Sequence, residues 1–118
     1  MTALTQLLLQ AFPAAYQAEA GQLLAYMRHS RSPSPTLEPD KLLLDGQTIR
    51  LIRRQYGLAI ARRPESLNPI QRAMFHCLHT RHHDGHVREQ HFASLLAPDQ
   101  PAFVAPFAAQ LLGEYVLP

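Results

Sequence analysis

Apolar residues near the start of the chain recur at the three- and four-residue spacing of an amphipathic helix. Pro13 interrupts this pattern, which resumes over residues 14–28. Proline lacks a backbone N–H, and its ring clashes with the preceding helical turn. The pattern therefore predicts two helices, or one kinked helix, whose apolar positions are Leu4, Leu7, Leu8, Ala11, Tyr16, Leu23, Leu24 and Met27.

Residues 30–40 have a different composition, with three prolines and three serines. A continuous helix does not tolerate that many prolines. We therefore predict a Ser/Pro-rich loop here. It either connects two packed layers of one domain or separates an N-terminal helix pair from a C-terminal helical unit.

The next segment fits two structures. In one, Asp45-Gly46 forms the type I′ turn of a β-hairpin between residues 42–44 and 48–52, since this pair of residue types favours that turn. In the other, Asp45 caps a helix that runs to Arg62. We favour the helix, because helical spacing places five apolar residues on one face: Ile49, Ile52, Tyr56, Ala59 and Ile60.

Three further helices are predicted, over about residues 69–82, 86–97 and 102–116. Asn68 caps the first of them, and proline is tolerated in its first turn. Asp84-Gly85 forms the turn before the second. Together the elements predict an all-α fold of five or six helices in antiparallel pairs, forming a single domain over residues 1–118.

Composition and charge exclude some classes of protein. Apolar residues make up 47% of the 118 positions, and no stretch reaches the roughly 18 uninterrupted apolar residues of a membrane span. The start of the chain lacks the basic segment of a secretory signal. The formal charge is only +2, so charge alone does not indicate nucleic acid. We expect a globular cytoplasmic protein that does not enter a membrane.

Six of the seven histidines lie between positions 76 and 91. His76, His79 and His83 are spaced by three and then four residues, so they share one helix face and suit a metal ion such as zinc. A fourth ligand would come from elsewhere in the chain. Apolar residues occupy roughly the opposite face, so we expect these histidines to face solvent or a partner. The alternative interpretation is a polar helix face that is rich in histidine.

His91 lies on the apolar arc of the following helix, and we expect it to be packed and hydrogen-bonded. Where several of these histidines approach one another, their charging at about pH 6 would weaken local packing or a subunit contact. Cys77 falls on an apolar face, where burial raises the pKa of a thiol and limits access. No residue is predicted to be catalytic, and we expect a protein that is not an enzyme.

Around residue 84 the sequence predicts an apolar helix, then a polar turn at Asp84-Gly85. A second apolar helix that begins with Val87-Arg88 follows this turn. This stretch resembles a HEAT-type helical repeat, in which an aspartate in the turn and an arginine early in the second helix hold neighbouring helices together. Asp84 can accept hydrogen bonds at the helix start and pair with Arg88, while Gly85 permits a tight turn. The resemblance implies a HEAT-like C-terminal half that recognises another macromolecule.

HEAT-like stacks mostly bind proteins, and some bind nucleic acid along a basic face. Arg50, Arg53 and Arg54 form a stripe beside the apolar face of the favoured helix, and arginines at that spacing can neutralise phosphates. The alternative is a solvated helix surface.

We therefore predict a non-enzymatic protein-interaction or self-association module. It binds another protein or itself, as a homo-oligomer or as part of a larger assembly. The first alternative is a nucleic-acid-binding helical domain that uses the arginine stripe, and the second is a metal-binding domain that uses the histidine face. The apolar C-terminal residues fit either a fragment of a longer helical protein or a C-terminus buried in an oligomer.

Overall fold

The computed structural model describes residues 3–27, 39–53, 66–82 and 84–114. Within them the chain forms five α-helices, one short 3-10 helix and one β-hairpin. In chain order the elements are α1 (Ala3–Leu9), the 3-10 helix (Ala14–Tyr16), α2 (Gln17–Tyr26), β1 (Asp40–Leu44), β2 (Gln47–Leu51), α3 (Pro69–His79), α4 (Gly85–Ser94) and α5 (Val104–Glu114). Residues 30–38 of the predicted Ser/Pro-rich loop lie outside the described residues.

Helices on either side of Pro13 confirm the interruption predicted there. The last carbonyls of a helix have no partner within it. Gln17 supplies one, because its Nε2 donates to the oxygens of Leu9 and Phe12 at 2.9 Å each. This side chain therefore fixes the turn between α1 and α2.

The prediction of an all-α fold is wrong, because residues 40–51 form an antiparallel β-hairpin where we favoured a helix capped by Asp45. Asp45 has a φ of 50° and Gly46 a φ of 78°, and a type I′ turn needs both of these positive values. The chain therefore reverses at Asp45-Gly46. Residues 54–62 of the predicted helix lie outside the described residues.

Burial gives the physical reason for the hairpin. Side chains of a strand alternate between two faces, and Ile49 and Leu51 of β2 are both buried on one face, at 1% and 0% exposure. A helix would place these two side chains about 200° apart, so it could not bury both against one core. Leu43 and its cross-strand partner Thr48 lie on the opposite, exposed face.

The N-terminal segment lies along the outer edge of β2. Arg50 N donates to Gln10 O at 2.9 Å. Nearby, Ala14 N donates to Oε1 of Gln47, also at 2.9 Å. This edge of the hairpin is therefore already bonded within the chain.

Reciprocal hydrogen bonds start α3 where the sequence predicts. The Asn68 side chain accepts from Gln71 N at 2.8 Å, and the Gln71 side chain accepts from Asn68 N at 3.2 Å. This pair is a capping box. None of the described helices is long and apolar enough to cross a membrane.

A cluster of buried apolar residues joins the helices to β2. Phe103, just before α5, is 0% exposed. Its ring centre lies 5.3 Å from that of Phe12 and 5.1 Å from that of Tyr16, both in edge-to-face contact. These aromatic contacts hold the N-terminal segment against the start of α5.

A charged side chain is buried beside this core. Arg81, just after α3, is 0% exposed, and its Nη2 lies 3.1 Å from Oε1 of Glu114 in the last turn of α5. Its Nη1 donates to the oxygen of Arg53 at 2.9 Å. Arg81 therefore connects α3, α5 and the end of the hairpin.

Candidate functional site

The outer edge of β1 presents backbone groups that the hairpin does not use. Leu44 and Gln47 flank the two-residue turn, so they form a hydrogen-bonded pair, and such pairs alternate along an antiparallel ladder. From the register, Lys41 and Leu43 fall in the non-hydrogen-bonded pairs. Their N–H and C=O groups consequently point away from β2. Arg50, the partner of Lys41, follows the same rule on β2, because its N–H is bonded to Gln10 outside the hairpin.

Apolar side chains accompany this edge. Leu43 is 76% exposed and Leu42 is 38% exposed. Within the described residues no strand pairs with the outer edge of β1, because the hairpin is a two-stranded sheet. An edge with unpaired backbone groups and exposed leucines is a template for the addition of another strand.

The base of β1 is held firmly. The Arg53 Nε lies 3.0 Å from Oδ1 of Asp40, the first residue of β1. On its other oxygen, Asp40 accepts from Gln110 Nε2 of α5 at 3.0 Å. Gln110 Nε2 also donates to Ile52 O at 3.2 Å. The edge is therefore presented on a strand that is anchored to the helices.

Four histidines of the predicted cluster come together between α3 and α4. The rings of His79 and His91 stack with centres 4.3 Å apart, and Nδ1 of His76 lies 2.9 Å from Nδ1 of His91. The ring of His82 lies parallel to that of His79 at 6.5 Å. The expectation that His91 is packed and hydrogen-bonded is confirmed.

The expectation that the histidine face points to solvent or a partner is wrong for His79. This side chain is 0% exposed, and its Nδ1 donates to Phe75 O at 2.8 Å. The physical reason is tertiary, since α4 lies against this side of α3 and places His91 over the His79 ring. His76 is half-buried.

This arrangement bears on the predicted metal site. The nitrogen lone pairs of imidazole lie in the ring plane, so the nearly parallel rings of His79 and His91 cannot direct them at one ion. Among the described residues, no group of three or more His, Cys, Asp or Glu side chains is arranged to hold a metal. His83 lies outside the described residues. Zinc binding by His76, His79 and His83 therefore stays a prediction.

Hydrogen bonds determine which ring nitrogens of the histidine cluster carry a proton. Asp84 N donates to Nδ1 of His82 at 3.0 Å, so this nitrogen carries no proton. In the contact between His76 and His91, one Nδ1 donates and the other accepts. Both rings cannot be charged while that bond is kept. Burial first, and then electrostatic repulsion from the neighbouring His76 and His82 sites, together lower the pKa of His91 to about 4.

Acid is expected to destabilise the protein through His91. Its pKa is 6.5 ordinarily and about 4 in the folded chain, so between these values the unfolded chain binds more protons and acid favours unfolding. The contribution of neutral His91 to the free energy of unfolding is fully present above pH 6.5 and is lost as the pH falls to about 4. A shift of this size corresponds to about 3 kcal/mol. Solvent screens the half-buried ring, so the expected loss is about 1–2 kcal/mol.

Urea unfolding at a series of pH values measures this loss. His91→Gln is expected to flatten the pH dependence of the free energy of unfolding over this interval. His86→Gln is the matched control, because His86 lies on the same helix and is exposed. Equal pH dependence in the wild type and in His91→Gln would show that His91 is not the responsible group.

Asp84 caps α4, in agreement with its predicted place in the turn. Its Oδ1 accepts from His86 N at 2.8 Å, and this hydrogen bond lowers the pKa of the Asp84 carboxyl. The Arg88 Nη1 donates to His82 O at 3.0 Å, so Arg88 ties α4 to the segment after α3. A Cβ on Gly85 would lie 3.4 Å from Arg88 Nη2, an ordinary contact with the end of a flexible side chain. The HEAT resemblance itself stays a prediction.

The predicted arginine stripe needs a helix that residues 47–51 do not form. Arg50 is half-buried on β2, and Arg53 is paired with Asp40. Arg54 lies outside the described residues. Nucleic-acid binding by Arg50, Arg53 and Arg54 stays a prediction, without the helical alignment that motivated it.

Sequence reasoning missed the edge formed by Lys41, Leu42 and Leu43. The signal was present in the three consecutive leucines before Asp45-Gly46, but the helix was favoured over the hairpin that contains them. Cys77 was interpreted correctly, since it is fully buried and burial raises the pKa of its thiol well above the ordinary value.

Comparisons of the chain with protein-family models, with curated proteins and with solved structures found no match.

Proposed function

We propose that this protein is a non-enzymatic interaction module that binds an extended segment of a protein chain by strand addition at the outer edge of β1. The observation that carries the proposal is the outward direction of the backbone groups of Lys41 and Leu43, beside a leucine side chain that is 76% exposed. Backbone hydrogen bonds supply affinity in this mode of recognition, and side chains on alternating faces supply selectivity.

The surrounding structure supports this use of the edge. Asp40 is held from two sides, by Arg53 and by Gln110, so the strand is ordered before a partner arrives. Preorganisation of this kind reduces the conformational entropy that binding costs. The other edge of the hairpin is bonded to Gln10, so a partner strand has one side available in the described structure.

Leu43→Pro is expected to weaken binding at least about tenfold, because it removes an outward N–H worth about 1 kcal/mol and places a ring against the incoming strand. The hairpin itself should remain, since proline is tolerated on an edge strand where its nitrogen does not face the neighbouring strand. Leu43→Thr is the matched control, because it removes the apolar side chain and keeps the N–H.

The measurement is selection of peptides from a displayed random library on the immobilised wild-type protein, followed by determination of their dissociation constants for all three chains. Peptides that bind the wild type and Leu43→Thr but not Leu43→Pro would support strand addition. Peptides that bind Leu43→Pro as tightly as the wild type would reject the proposal, provided that the melting temperatures of the three chains agree.

A further inference from the structure

The outer edge of β1 is complementary to itself, and we infer that it pairs antiparallel with β1 of a second copy of this chain, with Leu42 on the two-fold axis. This inference rests on the proposed function, because it names the strand that occupies the same edge. Its basis is the spacing of the outward backbone groups, the charges beside them and the bonding of the opposite edge.

The spacing of the outward groups suits a two-fold pair. Lys41 and Leu43 are separated by one residue, and each hydrogen-bonded pair of an antiparallel ladder exchanges two bonds. When Lys41 lies opposite the partner's Leu43, symmetry places Leu43 opposite the partner's Lys41. About four backbone hydrogen bonds then form, and they use every outward group of these two residues. Leu42 meets the partner's Leu42 as the closely spaced pair between them.

Other registers place like charges opposite each other or form fewer backbone hydrogen bonds. Placing Lys41 opposite the partner's Lys41 sets like charges against each other, which is destabilising. Placing Leu43 opposite the partner's Leu43 leaves Lys41 opposite the partner's Asp45. Asp45 has a φ of 50° and no longer follows the strand, so only the central pair of residues can exchange hydrogen bonds. The register centred on Leu42 avoids both defects.

Side chains favour the same register. Leu43, which is 76% exposed, lies opposite the partner's Lys41, whose methylene stem can cover it. On the other face Leu42, 38% exposed, contacts the partner's Leu42. The pairing therefore removes apolar surface from water and does not set the two Lys41 side chains directly opposite each other.

The second edge of the hairpin limits the assembly to two chains. Arg50 N on β2 is bonded to Gln10 O, so the N-terminal segment occupies the edge that a third strand would need. Strand pairing that continues on both edges gives fibres, whereas an isologous contact on one edge closes as a dimer. The structure is consistent with a closed dimer that contains a four-stranded sheet.

Leu42→Cys tests the register directly. Cα atoms more than about 7 Å apart cannot be bridged by a disulfide without movement of the backbone. Position 42 meets its own copy across the axis, whereas position 43 does not. The native chain has one cysteine, Cys77, which is 0% exposed, so it will not compete. Under oxidised glutathione, Leu42→Cys is expected to form a covalent dimer, and Leu43→Cys is not. Leu96 lies away from the hairpin and is 68% exposed. Leu96→Cys is therefore the control for an exposed cysteine outside the inferred contact.

Light scattering supplies the second measurement. The wild type is expected to approach twice the chain mass of 13.3 kDa at high concentration, and Leu43→Pro is expected to stay at 13.3 kDa. A dimer that crosslinks through position 43 in preference to 42, or that Leu43→Pro leaves intact, would overturn the inferred contact. A wild type that remains monomeric would also overturn it. If peptides still bound the edge and were lost in Leu43→Pro, the proposed function would stand without the second copy.

Discussion

Glu114→Gln is expected to lower the free energy of unfolding by about 2–3 kcal/mol, because it removes the carboxylate that faces a fully buried guanidinium. Arg81 is 0% exposed and Glu114 is 28% exposed, with 3.1 Å between Nη2 and Oε1. A charge withdrawn from water is tolerated only where an opposite charge and hydrogen bonds replace its hydration. The amide keeps the shape of the carboxylate and loses its charge.

Arg81→Met should cost less than Glu114→Gln, although both changes break the same ion pair. It replaces the buried charge by an apolar side chain, and the carboxylate that remains is already partly in water. Removing one partner of a buried pair is costly mainly when the charge left behind is buried, and the Glu114 carboxylate is partly exposed. The double variant should then resemble Arg81→Met alone.

Urea unfolding of the two single variants and the double variant gives the coupling energy between the residues. If the loss of free energy of unfolding in the double variant equals the sum of the losses in the two single variants, Glu114 does not compensate the charge of Arg81. Amide hydrogen exchange in the same samples should show faster exchange in the hairpin of Glu114→Gln, because Arg81 also bonds to Arg53 O at the end of that hairpin.

Phe103→Ala is expected to lower the free energy of unfolding by about 3–5 kcal/mol. The ring is completely buried and contacts Phe12 and Tyr16 edge to face. Its removal leaves a cavity and also deletes the aromatic contacts between the N-terminal segment and α5. Since that segment carries Gln10, which bonds the outer edge of β2, we expect the hairpin to be loosened as well.

Urea unfolding measures this loss, and Leu112→Ala is the control because it also removes an apolar side chain from this part of the chain, from a site that is 53% exposed. The control should change the free energy of unfolding by less than about 0.5 kcal/mol. Similar costs at positions 103 and 112 would contradict the packing of Phe103.

The hairpin shows how far the sequence could be interpreted. Asp45-Gly46 and the residues around it carried the signal for a type I′ turn, and the apolar residues after it also fitted a helical face. The burial of Ile49 and Leu51 in a core shared with helices elsewhere in the chain decides between them. Burial of that kind depends on contacts far apart in sequence, which periodicity within one segment does not contain.

The histidine cluster followed the same pattern. Spacing placed His76 and His79 on one face of α3, which describes a helix in isolation. The structure turned His79 into a buried residue by placing His91 on its ring. The partner lies on another helix, so the environment of the face could not be derived from the spacing alone.

Features that depend on a few neighbouring residues could be predicted from the sequence. Asn68 with Gln71 starts α3, Asp84 starts α4, and Pro13 separates α1 from α2, because each effect acts through neighbouring backbone groups. The packing of distant elements instead determines which side chains are buried and which strand edge is left unpaired within the described residues. Arg81 is buried because a carboxylate 33 positions away meets it. Gln10 bonds the outer edge of β2, whereas no strand within the described residues pairs with the outer edge of β1. These outcomes depend on where distant elements meet, which is a property of the packed chain.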